Sequence, residues 1–496
     1  MSLRHVRFRV PHAIVPAVVA LAAYVYCLPP GVGWWDTGEA QTVPYVAGIF
    51  HPTGFPVYAM AGWLFTHVVA IGNVAWRTSL LSAVATAASA LLLVRCATKL
   101  GAGPKHASAA ALLFALTPVV FEHATRAGVN AFALLLIAVA FDRALAGRPI
   151  AAAFFGALAV GAHTASVWML PGILVVAAAH RWPTRGSSAR TASAAAGAFA
   201  LGLCSYGYLP LRSAAIASAG LDPTRDLPVP NHAIWNYDDP STLDGFARIV
   251  SGSDYKEVST TFATLLAPAN YAAYAVAFGQ ALVAQYSYAG VALALAGLIA
   301  LRRRPWIALG LVTTAFGVFP FSIHFSTLIG QTDPPKYHLV ALWAAGVAIA
   351  LGASDVSRLI AVRVRALAGA GIVVLLVLAA FAGVESRRFV GQRDDRSADG
   401  IVASVRNDTP DGAIVVTQWW YATPLFYAAY ADASLGRRRI VSTGDHAVLA
   451  ALARRGPTYY FPLPADDVRI DGALLKPVPG AWPALYRVTP APVAPR

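Results

Sequence analysis

Eleven apolar segments, each near the length needed to cross a bilayer, restrict what this chain can fold into. Spanning roughly 30 Å of hydrocarbon takes about 17 to 25 helical residues, fewer where Pro and Gly break the run. Segments that meet this requirement lie near 12–29, 78–97, 107–121, 128–146, 150–163, 166–180, 192–211, 283–301, 306–323, 338–354 and 367–384. Only 12% of the residues are charged, against about 25% in soluble domains. The chain therefore reads as a mainly α, polytopic membrane protein with about eleven transmembrane helices.

The formal charge of +14 does not indicate nucleic acid, because the basic residues fall in short clusters between apolar segments, where topology accounts for them. The segment 56–71 (PVYAMAGWLFTHVVAI) decides the sides. If it lies on the surface, one side receives Arg4, Arg7, Arg9, Arg95, Lys99, Lys105, Arg143, Arg148, Arg181, Arg185, Arg190, Arg302, Arg303, Arg304, Arg358, Arg363 and Arg365. The other side keeps few cations, among them Arg77, Arg126, Arg212, Arg225, Arg248, Lys256 and Lys336. The positive-inside rule then puts the N-terminus in the cytoplasm and the C-terminus outside. At 1.5 Å per residue the segment is only about 24 Å long, consistent with an interfacial or re-entrant helix. The first apolar run follows a basic flank but lacks a small-residue cleavage pattern, so it reads as an uncleaved helix.

Residues 1–384 thus form a transmembrane domain with external loops 30–77 and 212–282, and 385–496 changes character. Short β-branched or aromatic runs appear there at GAIVVTQ (412–418), RRIVST (438–443), PTYYF (457–461) and ALYRVTP (484–490), alternating with a helix over 423–433. The pattern predicts a small extracytoplasmic α/β domain, ending in a frayed Pro-rich tail, TPAPVAPR. The three cysteines, Cys27, Cys96 and Cys204, lack disulfide or metal spacing. No internal repeat, glycine-rich nucleotide loop or H-E-x-x-H pattern is present.

With sides assigned, polar residues gather on the external face. In WWDTGEAQTVPYVAGIFHPTGFPVY (34–58), Asp36 and Glu39 are three apart and would share a helix face. Two neighbouring acids at a low-dielectric boundary raise the proton affinity of at least one, which suits it to take a proton from a hydroxyl. His51 sits in a Pro/Gly turn, where it could orient an acceptor or donate to phosphate. Glu122, His123 and Arg126 occupy the next external loop, and His163 lies where two spans meet outside. Arg212 in YLPLRS and Lys336, with Tyr337, in QTDPPKYH place cations at external helix ends, where they suit phosphate. The loop IWNYDDPSTLDGFARIVSGSDYKE (234–257) mixes Trp, Tyr, Asp and Asn as sugar-binding surfaces do. Each residue also has a structural explanation, as a dipole-complementing acid, a turn or buried histidine, or a snorkelling cation.

The motifs DTGEA, GIFHPTGFPVY, GAHTASVWMLPG, YLPLRS and WNYDDPSTLDGFARIVSG, in this order, resemble the protein O-mannosyltransferase-like membrane family of the GT-C glycosyltransferase superfamily. The resemblance covers roughly 12–260 and extends loosely over the later spans. It implies a GT-C bundle whose first external loop carries the catalytic acid, here Asp36 with Glu39 as the second motif acid. It also implies a polyprenyl-phosphate-linked sugar donor and, as acceptor, a protein Ser or Thr or an envelope glycan or lipid. The chain departs from its relatives where they carry Glu-Val-Tyr and it has Thr125-Arg126-Ala127-Gly128-Val129. No metal or cofactor is required by this reading, although a divalent cation could bridge Glu39 and phosphate. Trp419, Trp420 and Tyr421 are candidate acceptor contacts or core residues. The expected setting is a bacterial plasma membrane. A flippase or transporter of a lipid-linked intermediate, and a non-catalytic scaffold, are the competing classes; a transporter would carry ionisable residues deep in its spans.

Overall fold

A computed structural model describes residues 10–179, 185–229, 231–253, 267–328, 334–463, 473–481 and 484–490. Arg4, Arg7, Arg9, Arg181, Lys256 and the tail beyond 490 lie outside the described residues. The chain is mainly helical (72%) with a small C-terminal sheet. Helices α1 (Val10–Cys27), α2 (Asp36–Val46), α3 (Pro56–Val68), α4 (Val74–Leu100), α5 (Pro104–Leu116) and α6 (Pro118–Thr125) are followed by α7 (Val129–Leu145), α8 (Pro149–Ala162), α9 (Leu170–Ala179), α10 (Arg185–Leu203), α11 (Tyr208–Ala219) and α12 (Leu243–Ser251). The second half holds α13 (Tyr271–Ala300), α14 (Pro305–Phe316), α15 (Phe319–Leu328), α16 (Leu339–Arg363) and α17 (Ala370–Ser386).

Each apolar segment read from the sequence falls on one or more of these helices, but not every helix is of spanning length. Among the described residues six are long and apolar enough to cross a membrane, or seven if the bent pair α5–α6 counts as one span. The 67° bend follows from Pro118, which lacks an N–H and pushes Thr117 out of the helical region to φ −63°, ψ 141°. The Val119 amide at the break is satisfied by Gln285 Oε1 of α13 at 3.1 Å. The segment expected over 306–323 is one of the six, Pro305–Ile323, with a two-residue interruption between α14 and α15. The 56–71 stretch forms α3, whose Trp63, Leu64 and Val68 are exposed along one side.

The bundle core is made largely of alanines from α4, α5, α7 and α16 around Leu93, Phe114, Phe141 and Trp343. Small residues let helix backbones approach closely, which drives packing where lipid is as apolar as leucine. At the crossing of α13 and α16, a Cβ on Gly297 would lie 1.9 Å from the Ala348 carbonyl oxygen, and one on Gly352 would lie 1.9 Å from that of Leu293. At the helix ends away from α2, buried Asp142 of α7 takes Arg95 Nε (2.8 Å) and Lys99 Nζ (2.5 Å) of α4 and is also paired with Arg143.

After α18 (Asp399–Asp408) come β1 (Ile414–Thr417), α19 (Trp419–Phe426), β2 (Arg439–Ser442), α20 (His446–Ala453), β3 (Thr458–Phe461), β4 (Ala473–Pro477) and β5 (Tyr486–Pro490). The sheet order is β2-β1-β3-β5-β4, with β1 parallel to β2 and β3, and β5 antiparallel to β3 and β4. The four expected strands are present, and β4, α18 and α20 are additional. The helix expected over 423–433 starts earlier, at Trp419, and ends in a π turn over Tyr427–Ala431. Central strand β1 is buried on both faces. Ile414 and Val416 pack with Leu449 and Leu452, whereas Val415 joins a cluster with Leu425 and Phe426. That second cluster also contains Ala40, Val43, Phe50, Phe55 and Tyr58, so the C-terminal region shares one apolar core with the first loop.

Gly352→Ala is expected to destabilise the protein, since overpacking at such contacts typically costs about 1–3 kcal/mol. Gly369→Ala, whose Cβ would meet nothing within 4 Å, serves as the control. Thermal unfolding in detergent checks both, and equal melting temperatures would refute the close-approach account.

Candidate functional site

Glu39 lies in the first turn of α2 and is fully buried. Its oxygens are held by His51, whose backbone N–H donates to Oε1 at 2.8 Å and whose Nδ1 contacts Oε2. Asp36, one turn earlier on the same helix, keeps about half its side chain exposed. Lys336 Nζ donates to its Oδ2 at 3.3 Å and Trp419 Nε1 to its Oδ1 at 3.4 Å. Residues from the first loop, the segment before α16 and the C-terminal region therefore converge on one carboxylate.

Their environments push the two acids apart. Burial raises the Asp36 carboxyl, but the charges of His51 and Lys336, with hydrogen bonds from Lys336 and Trp419, outweigh it and hold the group below the usual carboxylate range. Burial dominates at Glu39 and raises it despite His51, while the charge of Glu39 draws His51 upward against its own burial. Asp36 is thus the acid held toward its ionised form, whereas Glu39 has the raised proton affinity. The expectation that one neighbouring acid gains proton affinity applies to Glu39. Asp36, Glu39 and His51 each offer a ligand atom within 4.8 Å of the others, a carboxylate–imidazole set that could hold a divalent cation.

The loop is held by backbone contacts. Arg212 of α11 donates through Nε to Ala47 O at 2.5 Å and through Nη2 to Val46 O at 3.1 Å, capping the carbonyl end of α2. Tyr208 donates to Gly48 O at 2.9 Å, and the Ile49 amide donates to Ile234 O at 3.0 Å. Only glycine fits at 48, because a Cβ there would lie 1.8 Å from Ile234 O. Arg212, expected at a phosphate, donates to these two carbonyls through Nε and Nη2.

His163, Lys336 and Tyr337 line one cavity of about 20 Å³ together with Asn130 and Ser166. His163 packs between the rings of Phe55 (5.3 Å) and Tyr337 (5.6 Å), and its Nδ1 accepts the Ala165 amide at 3.1 Å. Arg126 pairs with Glu122 at 2.8 Å; no described hydrogen bond or ion pair joins it to Asp36. Trp419 is a member that local sequence did not single out from its two aromatic neighbours. Its ring also stands 5.8 Å from His51.

Residues 36–186 match the family model described as Protein O-mannosyl-transferase TMEM260 N-terminal domain. The family resemblance read from the motifs is thereby supported by an independent match that starts at Asp36. The chain is 27% identical over 267 residues to Protein O-mannosyl-transferase TMEM260 of Mus musculus, covering 49% of this chain and 35% of that protein. It is 34% identical over 55 residues to Protein O-mannosyl-transferase tmem260 of Dictyostelium discoideum, covering 11% of this chain and 7% of that protein. The chain spans about a third of the mouse relative. Among solved structures, the fold is similar to ArnT from Cupriavidus metallidurans in the apo state, with a TM-score of 0.56 at 12% identity over 96% of this chain and 97% of that one. It is also similar to the same protein bound to undecaprenyl phosphate, with a TM-score of 0.58 at 13% identity over 98% and 99%. The chain is an integral multi-pass membrane protein whose fold is similar to that of ArnT.

Arg212→Ala removes two charge-assisted bonds, each worth about 1.5–3 kcal/mol in typical cases. It is expected to open residues 46–55 to limited proteolysis. Wild-type protection would sink the clamp reading.

Proposed function

We propose that the chain is a membrane glycosyltransferase that moves a sugar from a polyprenyl-phosphate-linked donor to an acceptor hydroxyl at the extracytoplasmic face, with inversion. The observation that carries this reading is Asp36, an ionised and half-exposed carboxylate in the first turn of a helix, held by a lysine and an indole. The TMEM260 and ArnT similarities support it.

In the proposed step Asp36 takes the proton of the acceptor hydroxyl as its oxygen attacks the anomeric carbon, and the bond from that carbon to the phosphate oxygen breaks. Lys336 moves its pairing from Asp36 to the lipid phosphate as the donor arrives. That exchange neutralises the leaving group and restores basicity to Asp36. Glu39 holds His51, which keeps the loop in place and faces the sugar; His163 and Tyr337 shape the adjoining wall, and Arg126 lies at its margin. A divalent cation held by Asp36, Glu39 and His51 would polarise the phosphate when bound. Lys336 already supplies positive charge there, so transfer is expected to survive chelation, which an activity assay in EDTA checks.

The finer topology belongs to the same reading: eleven spans in a bacterial plasma membrane, N-terminus cytoplasmic, α3 at the interface, and 385–496 outside as a small α/β domain. A protein Ser or Thr, or an envelope glycan or lipid, would be the acceptor. Against a transporter stands the placement of buried charge. Asp142, the buried acid of the bundle's α7, lies near that helix's end and is matched by three cations, a pattern unlike a midplane pathway.

Asp36→Asn is expected to fold and bind donor but lose about 100- to 10,000-fold in transfer rate, the usual contribution of a general base. Wild-type turnover in that variant would remove Asp36 from the mechanism. A reporter inserted at Gly101, in the turn between α4 and α5, is expected to report cytoplasm. An external signal would invert the assigned sides.

A further inference from the structure

We propose that Trp35 and Trp420 form a platform that binds a pyranose ring by its apolar C–H face beside Asp36. The proposal rests on the glycosyltransferase reading and names the ligand of its outer rim. Two tryptophans from segments far apart in the chain meet there with ring centroids 5.1 Å apart and planes 52° apart. Despite this contact, 42% of Trp35 and 41% of Trp420 stays exposed. Large aromatic surfaces left open next to a half-exposed carboxylate are usually recognition surfaces rather than packing.

Trp35 occupies a position that favours other residues. It is the N-cap of α2, where Ser, Thr, Asp, Asn or Gly usually sits, yet it makes no side-chain capping bond. Its backbone is left-handed at φ 54°, a conformation rare for bulky residues and concentrated at functional sites. Nothing in the local fold needs an indole there. Its effect is to project a ring outward one residue before Asp36.

The platform is fixed from behind. Trp34 lies 6.4 Å from Trp420 and 5.8 Å from Tyr421, and its Nε1 donates to Ser397 Oγ at 2.8 Å. In α19 the three aromatics separate: Trp419 turns to Asp36 and His51, Tyr421 packs against Trp34, and Trp420 remains outside. A pyranose presents an apolar C–H face to such rings and hydroxyls to their surroundings, here the Asp36 carboxylate. Asp394, Asp395, Arg396 and Ser397, the segment joined to Trp34, are polar and exposed, and offer partners for a sugar's hydroxyls. A bilayer anchor also sits at a polar interface, and quenching by brominated lipids separates the two.

The sugar could belong to the lipid-linked donor or to a glycan acceptor, and the kinetic arms of the test separate these sources. Saturation-transfer NMR on the detergent-solubilised full chain, in the Asp36→Asn background, is run with methyl α-mannopyranoside and methyl α-glucopyranoside. Saturable transfer to ring C–H protons is expected, weakened at least tenfold in affinity by Trp420→Ala or Trp35→Ala and largely retained by Trp420→Phe. In the enzyme with Asp36 intact, Trp420→Ala then raises KM for the donor if the donor sugar is stacked, or for a glycan acceptor if that sugar is stacked, with kcat less affected. Either split supports the platform. No saturable transfer with either sugar, or equal binding in the alanine variants, overturns it. So does strong quenching of Trp420 by brominated lipids in vesicles without sugar binding, which marks a membrane anchor. Sugar binding lost in Trp420→Ala while no transfer is ever detected would keep the platform and remove the transferase reading. Transfer lost in Asp36→Asn with flat sugar titrations does the reverse. Unchanged elution on size exclusion excludes misfolding, and Trp420→Phe is a second check.

Discussion

A carboxylate with no solvent exposure cannot be left alone, and Glu39 has His51 as its partner on both oxygens. Breaking a buried charged pair by removing one member typically costs about 3–5 kcal/mol. The contact therefore fixes where the turn at His51 sits relative to the first turn of α2. Because α2 is short and its far end is clamped by Arg212, both ends of the helix are set by groups outside it. Asp36 is then placed one turn from the buried pair, where its oxygens meet a lysine 300 residues away and an indole 383 residues away. The geometry around the exposed acid depends on the buried one.

The bundle supplies the stiffness this arrangement needs. Helices that meet through Gly297 and Gly352, with alanine elsewhere, have little side-chain freedom to lose and little room to shift. The buried Asp142 with its three cations pins α4 to α7 at the end away from the site, while the Tyr427 hydroxyl accepts from Ala75 N at the other end of α4 at 3.1 Å. A helix of 27 residues, about 40 Å long, is thus tied at both ends.

What the sequence discloses follows the range of the forces involved. Apolar runs, prolines and β-branched strands are local, and the positions of apolar helices and four of the five strands can be read from them, but not which helices are of spanning length. The acids three apart on α2 are also legible, because helix periodicity alone puts them together. The partners are not. Nothing near Arg212 in sequence indicates that its guanidinium would donate to the carbonyls of Val46 and Ala47. Trp419 is one of three adjacent aromatics, and only the tertiary fold distinguishes the one that reaches Asp36. Strand β4 (ALLKP) is short, with Lys and Pro at one end, and becomes a strand by pairing with β5. The break at Thr117 was visible as a proline, but its tolerance depends on Gln285 arriving from another helix.

The shared core bears on how the site around Asp36 is assembled from such distant pieces. If the C-terminal region were tethered only by a linker, Trp419 would sample many positions and its hydrogen bond to Asp36 would be worth little against the entropy of holding it. Instead Ala40, Val43, Phe50 and Phe55 of the first loop pack in one cluster with Val415, Leu425 and Phe426, so ordering either side orders the other. Burial near 25 cal/mol per Å² across those side chains gives the docking its driving force, and the polar contacts at Asp36 add direction rather than strength. Preorganisation of this kind holds the lysine and the indole on Asp36. Substitutions that loosen the Phe50–Phe55–Phe426 cluster should therefore act on Asp36 without touching it. In that sense Asp36 and the interface between the first loop and the C-terminal region are a single unit.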